Sequence, residues 1–409
     1  MIRASALYIA IIIAAVIAIF SASLIATAYF YRLEYQKSMR MNKLSANLNS
    51  GISILLSEGF KKYDEPQIID LFGKENDSLT LCKEKWGVFD LAMVKAFTLA
   101  DTIGKTFLTG IRDKDLTALY LSDEDRPLSV SGSTRITGDA LLPKAGIKQA
   151  YVEGKPFAGK KLVEGSVKTS KRTLPPLNME RLDELEKWLN DTIHISGITG
   201  DSVHNSFFNS VRIVRVPKSD PVIRKKHTGK IILLCDTTLT INREAVLEDI
   251  IVFAPAIVVK DEFQGNCQLF ARDSIITGKK VLFNYPSCLG ILKRDSKQQP
   301  KIVLGPNTIF SGIIFSWEEQ RSDMQTMISL GKNSLIKGDV YASGFIKLEK
   351  PLTVEGRLSC NRFIIQTPVT LYENYLIDIT LSRTKRSPYY LNTVLFENKG
   401  EQRVLKWLK

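Results

Sequence analysis

The chain has 409 residues, of which 44% are hydrophobic and 24% charged. This balance excludes an extensively disordered or fibrous protein and allows a large buried core, in two or three domains or in one elongated β unit. The formal charge of +13 is concentrated, with eight Lys or Arg against two Glu between Lys144 and Pro175. The five cysteines, Cys82, Cys235, Cys267, Cys288 and Cys360, form no Cys-x-x-Cys pair and are odd in number. That excludes a full disulfide framework or a zinc ribbon and leaves small buried hydrophobes, with a bridge between two of the last four open in an oxidising compartment.

At the N-terminus, Ala4 to Tyr31 form 28 residues without a charge, where about 20 suffice for a helix to cross the hydrocarbon core. Tyr29, Phe30, Tyr31 and Tyr35 crowd one end in the manner of an interfacial aromatic belt. Alanines recur every four residues from Ala6 to Ala26, and Ala10, Ala14, Ala18 and Ala22 make a candidate face for close packing of another helix. Ala26-Thr27-Ala28 has the form of a signal-peptidase site, but the apolar stretch is long for a cleaved leader, so an uncleaved anchor is expected. Lys and Arg at 32, 37, 40 and 43 outnumber Arg3, which by the positive-inside rule places the body in the cytoplasm. Beyond Met39, the apolar residues Met41, Leu44, Leu48, Ile52 and Leu55 fall at spacings of three and four, so the helix is predicted to continue, amphipathic, to about Gly59.

A helix that is membrane-embedded in its first half and amphipathic in its second resembles pilins and the minor pseudopilins of type II secretion. The run Leu44 to Leu56 resembles the segment after the anchor in PilX-type and K-type minor pseudopilins. The resemblance covers about the first 60 residues. It departs from the family in lacking a Gly before a Phe-type processing site and a Glu within the apolar segment. It implies an N-terminus inside the cell and a body in the periplasm or at the surface, opposite to the charge rule.

Residues 60–130 alternate apolar and polar in short runs, as in Ser78–Cys82 and Trp86–Val94, and read as a β-meander. Ser122 to Pro127 reads as a turn or linker, its Asp123, Glu124 and Asp125 lacking the spaced oxygens of a calcium loop. An apolar-x-Gly phrase then recurs at Gly138, Gly165, Gly338 and Gly356. Its clearest repeat sets Leu304 to Gly312 against Leu330 to Gly338, offset by 26 residues. Residues 229–292 and 301–365 carry further β-rich runs with polar corners. A β-solenoid follows, in which Gly and Asn take the positive φ of sharp corners and stacked coils bury one another. Asn178 to Asn190 places Leu182, Leu185, Trp188 and Leu189 on one face and predicts a helix that caps or crosses it. This portion resembles bacterial polymer-forming proteins of the bactofilin type, which implies a right-handed β-helix; their homopolymerisation does not transfer automatically to a chain with these insertions.

The predicted organisation is mainly β: an anchor and helical stalk at 1–59, a β-rich connection at 60–130, a β-solenoid with an inserted helix at 131–369, and a β extension at 370–409. His194, His204 and His227 have no metal-pair spacing, and Walker A, dinucleotide-binding and Gly-x-Ser-x-Gly phrases are missing. No catalytic residue, cofactor or metal is therefore assigned. A candidate anionic-ligand patch comprises Lys144, Lys148, Lys155, Lys160, Lys161, Lys168, Lys171 and Arg172. It suits anionic polysaccharide or lipid, or a solvated loop face. Without interleaved aromatics it does not suit single-stranded nucleic acid.

The expected function is a membrane-anchored, non-catalytic scaffold of the bacterial envelope, minor-pilin-like, in the inner membrane. Its expected partners are the bilayer, other pilin-like helices and copies or partners assembled through the solenoid. A surface adhesin or carbohydrate-binding β-helix is the alternative. A polysaccharide lyase or hydrolase using Asp236, Asp249, Arg272 and Asp273 is the third reading.

Overall fold

A computed structural model describes residues 2–60, 64–71, 73, 78–98, 101–190, 203–293, 298–366, 370–397 and 400–409, and is mainly β with one long apolar N-terminal helix. That helix, α1, runs unbroken over Ile2–Leu56, and the amides of Ser57 and Phe60 then close turns on the carbonyls of Ile54 and Ser57. Residues 6–39 are all exposed. On the second half, Leu44, Leu48 and Leu55 are buried and Met41 and Ile52 half-buried, the face expected from their spacing.

Chain contacts separate two compact units, residues 1–83 with 92–105 and residues 84–91 with 106–409. In the first unit, Gln67–Asp70 pairs antiparallel with the start of Ser78–Trp86, and the buried side of α1 lies on Leu79, Leu81 and Val94. Gly51 makes that approach possible, since a Cβ there would press on all three side chains. Arg40 ties the helix to Asp101 at 2.9 Å. The apolar run Trp86–Val94 straddles two strands of the meander, because Gly87 takes a φ of 61° and reverses the chain between Ser78–Trp86 and Phe89–Thr98.

The second unit is a parallel, barrel-like sheet. Its registers place like side chains over one another. Val214, Leu233, Val252, Leu269, Leu289, Ile314, Val340, Leu358, Leu119, Ala140 and Val167 form one continuous column of Cα partners. Leu239, Ile257, Ile275, Ile302, Ile328, Ile346 and Phe363 form a second, and all seven are fully buried. Phe283, Phe310, Ile336, Val354, Leu381 and Ile136 form a third. Val167, at the end of the first column, is exposed; the other β-branched and aliphatic positions point inward and bury one another only when neighbours stack.

The repeat at an offset of 26 is a register in this sheet: Ile309 faces Leu335 and Gly312 faces Gly338. Asn307 and Asn333 take φ near 58° and 59° at the corners, where Asn tolerates the left-handed region. Gly312, Gly338 and Gly356 stack directly; the first two have a φ of 143°, and a Cβ on Gly338 would overlap the carbonyl of Gly312.

The strand Thr117–Leu121 joins this sheet beside Leu352–Gln366, so the ladder draws on residues from the expected connecting region 60–130. The final strand, Gln402–Leu408, pairs antiparallel with Thr106 to Ile111, whereas Ile379–Ser382 of the same tail joins the ladder between Leu352–Gln366 and Arg135–Thr137. The second helix, α2 (Met179–Asn190), packs on the strands Val246–Val259 and Gln264–Thr277, in the middle of the ladder. Its apolar face has its partner there, with Leu182, Leu185 and Leu189 buried and Trp188 stacked on Phe253 at 6.0 Å. It therefore flanks the sheet instead of capping an end. The hairpin tip at Gly87 docks beside it. Gln268 accepts from the amide of Val88 and donates to the carbonyl of Trp86, and Arg181 pairs with the buried Asp90. All five cysteines are buried and free, so the bridge left open by the sequence is not formed.

Candidate functional site

Ala10, Ala14, Ala18 and Ala22 lie on the exposed part of α1, and no described residue packs against them. The basic residues Lys144, Lys148, Lys155, Lys160, Lys161, Lys168, Lys171 and Arg172 are likewise all exposed. They line the last rungs of the parallel ladder, where Val167–Thr169 is paired to Asp139–Leu142 and lies open to solvent. Two are committed to ion pairs, Lys155 with Asp378 and Arg172 with Asp125, each at 2.8 Å. The Lys155 ammonium and the amide and hydroxyl of Ser133 hold the Asp378 carboxyl down to about 2, against a smaller opposing effect of burial.

The residues considered for sugar cleavage are engaged separately. Asp236 is held by Arg215 and Lys218, Asp249 by Lys406, and Arg272 and Asp273 are exposed. The Asp123–Asp125 loop is tied to arginines, Glu124 to Arg321 and Arg362 and Asp125 to Arg172. Among the described residues no group of His, Cys, Asp and Glu could hold a metal ion; His194 lies outside them.

The structure gathers a site that the sequence did not disclose. Asp339, 1% exposed, accepts from Arg386 at 3.0 Å and from the Asn392 amide at 3.0 Å, with Arg357 at 3.4 Å. Asp113 faces Arg383 and Arg386 at 3.3 and 3.9 Å. Burial by itself would raise the Asp339 carboxyl, but the three guanidiniums outweigh it and hold it below the ordinary carboxylate range. The network fixes the segment 383–392 against the flank of the ladder. Arg386 lies over the Tyr390 ring at 4.4 Å, and the Tyr390 hydroxyl donates to the carbonyl of Gly312 at 3.1 Å. Tyr285 donates to the carbonyl of Leu391 at 2.8 Å, and burial pushes its phenol well up.

Between this segment and the ladder lies a cleft of about 520 Å³. One wall is the cross-strand row Ser311, Lys337 and Glu355, which follow one another in register. The other is the loop carrying Lys385, Ser387 and Tyr389. The charged heads of Lys337, Glu355 and Lys385 have no hydrogen-bond or ion-pair partner among the described residues. Tyr389, 88% exposed, is the most exposed large apolar side chain among the described residues. The usable signal was the run Ser382 to Tyr390, SRTKRSPYY, too dense in cations and aromatics for a plain β extension.

Compared with family models, with curated proteins and with solved structures, the chain finds no match.

Proposed function

We propose that the chain is a single-pass membrane protein of the bacterial envelope whose β-solenoid body is a non-catalytic scaffold, working as a minor-pilin-like component of a secretion or pilus assembly. The observation that carries this reading is the division of α1. One unbroken helix presents an uncharged, wholly exposed first half and buries only its second half on its own sheet. An exposed apolar helix of this length is stable where lipid replaces water around it, and the alanine row is left open to a second helix. The same arrangement is what the resemblance to pilins implies. The solenoid reading rests on the three aliphatic columns and the stacked glycines, because a coil that repeats its corners sets equivalent residues in register.

Purification of the full chain in mild detergent tests the proposal. Pilin-like membrane helices are expected to co-purify and to be lost when Ala14 and Ala18 are replaced by Leu. A chain recovered alone in both forms would sink the reading. Protease added to spheroplasts should digest the body; complete protection would place it in the cytoplasm.

A further inference from the structure

We propose that the cleft between the Ser311–Lys337–Glu355 row and the loop at Tyr389 binds an acidic saccharide, a sugar unit bearing a carboxylate. This goes beyond the scaffold reading and rests on none of it. Three features of the cleft select the ligand together. Lys337 and Lys385 bring two ammonium groups, neither held in an ion pair, into one concavity against the single carboxylate of Glu355, and the positive excess calls for an anion. Glu355 is also unpartnered there and can accept hydrogen bonds but not donate them when ionised, so the ligand must carry donors as well as its negative charge. Sulfate satisfies the first demand and, having no donor, fails the second, while inorganic phosphate has a P–OH donor but no apolar face. Tyr389 then adds a ring at 88% exposure beside the cleft. A ring of this kind can stack on a ligand with an apolar face and hydroxyl edges. A uronic acid has all three: a carboxylate for the lysines, hydroxyls for Glu355, Ser311 and Ser387, and C–H faces for the tyrosine. The volume of about 520 Å³ lies within the range of small-molecule sites.

The walls are held in place before any ligand arrives. Tyr285 accepts from the amide of Leu391 at 3.2 Å while donating to its carbonyl, and Tyr390 is fastened to Gly312. Beneath them, Arg386 is committed to Asp339 and Asp113. Arg386 therefore serves as a support, and the lysines are the groups left for the ligand. A preformed cleft spends less of its binding free energy on ordering.

Titration calorimetry on the detergent-solubilised full chain, with tetragalacturonate as the probe, tests the proposal. Saturable binding is expected, weakening as salt is raised, with neutral cellotetraose at least tenfold weaker. Tyr389→Ala and Lys337→Ala should each reduce affinity at least tenfold with unfolding temperature unchanged, since both side chains are exposed. Lys160→Ala with Lys161→Ala should change it less than twofold. The proposal is overturned by an absence of saturable binding. It is equally overturned if the Lys160 and Lys161 pair matters as much as Lys337, which would make the binding non-specific attraction. Full competition by inorganic phosphate with Tyr389→Ala unaffected would reduce the cleft to an anion site and reject the sugar.

Discussion

The exposed half of α1 and the neighbourhood of Asp339 break the same rule in opposite directions. Residues 7–35 hold Leu, Ile, Phe and Tyr side chains outward, whereas the flank of the ladder buries Asp113, Asp339, Arg383 and Arg386. Apolar surface belongs inside and charge outside unless the surroundings supply a substitute. For the helix, the substitute has to come from outside the chain. For the charges it is already present as counter-ions and hydrogen bonds within 3–4 Å. The helix thus points to an environment, and the charge network to an internal architecture.

The comparison can be broken from either side. The largest effect is expected at Asp339→Asn, which keeps the shape but strands Arg357 and Arg386 without their shared carboxylate. Unfolding in urea should show a loss of about 3–5 kcal/mol. Next, Ile13→Arg should cost membrane insertion about 2.5–3.5 kcal/mol while leaving the unfolding of the body unchanged. Alkaline carbonate extraction, with the released fraction rising in the variant, reads the first, and circular dichroism melting reads the second.

A smaller effect concerns acid. The Asp378 carboxyl lies at about 2 in the folded chain against an ordinary 3.8, so its contribution is fully present above about pH 4 and is lost as the pH falls through 2. Asp378→Asn, which keeps the side-chain shape at a φ of 55°, should remove that part of the acid slope. The loss at neutral pH should be about 1 kcal/mol or less, since Lys155 is half exposed. Least of all, Lys160→Glu should move stability by no more than about 0.5 kcal/mol, because its side chain is exposed at the end of the ladder.

Much of α1 was legible because two local rules sufficed, an uncharged run and a three-four spacing. Leu44, Leu48 and Leu55 came out buried as that spacing required. The corners of the ladder were legible through Asn307, Asn333, Gly312 and Gly338, whose backbone angles few other residues accept. What could not be read was which distant segments meet. The pairing of Asp339, beside Gly338, with Arg383 and Arg386 of the C-terminal extension was not visible, since a buried ion pair leaves no periodic trace in either partner. For the same reason the cleft stayed hidden: Lys337, Glu355 and Tyr389 come together only once the tail folds back on the ladder. The apolar face of α2 was evident, but its seat on Phe253 was not, because amphipathic spacing specifies a face and not its partner.

The placement of Thr117–Leu121 sets the order of stacking against the order of synthesis. Leu119 pairs with Leu358, and Arg135 to Thr137 with Thr380 to Ser382, so a segment that leaves the ribosome early can pair within itself, Leu119 with Ala140 and Ala140 with Val167, but joins the rest of the ladder only when the chain is nearly complete. Residues 203–366 can stack as they emerge, each rung on the one before, while the edge that 117–137 offers to Leu358 and Thr380 stays open until the two blocks meet. An open strand edge is prone to wrong pairings. The lysines from Lys144 to Lys171 lie on this early block, all of them exposed, and like charges of this kind oppose edge-to-edge pairing.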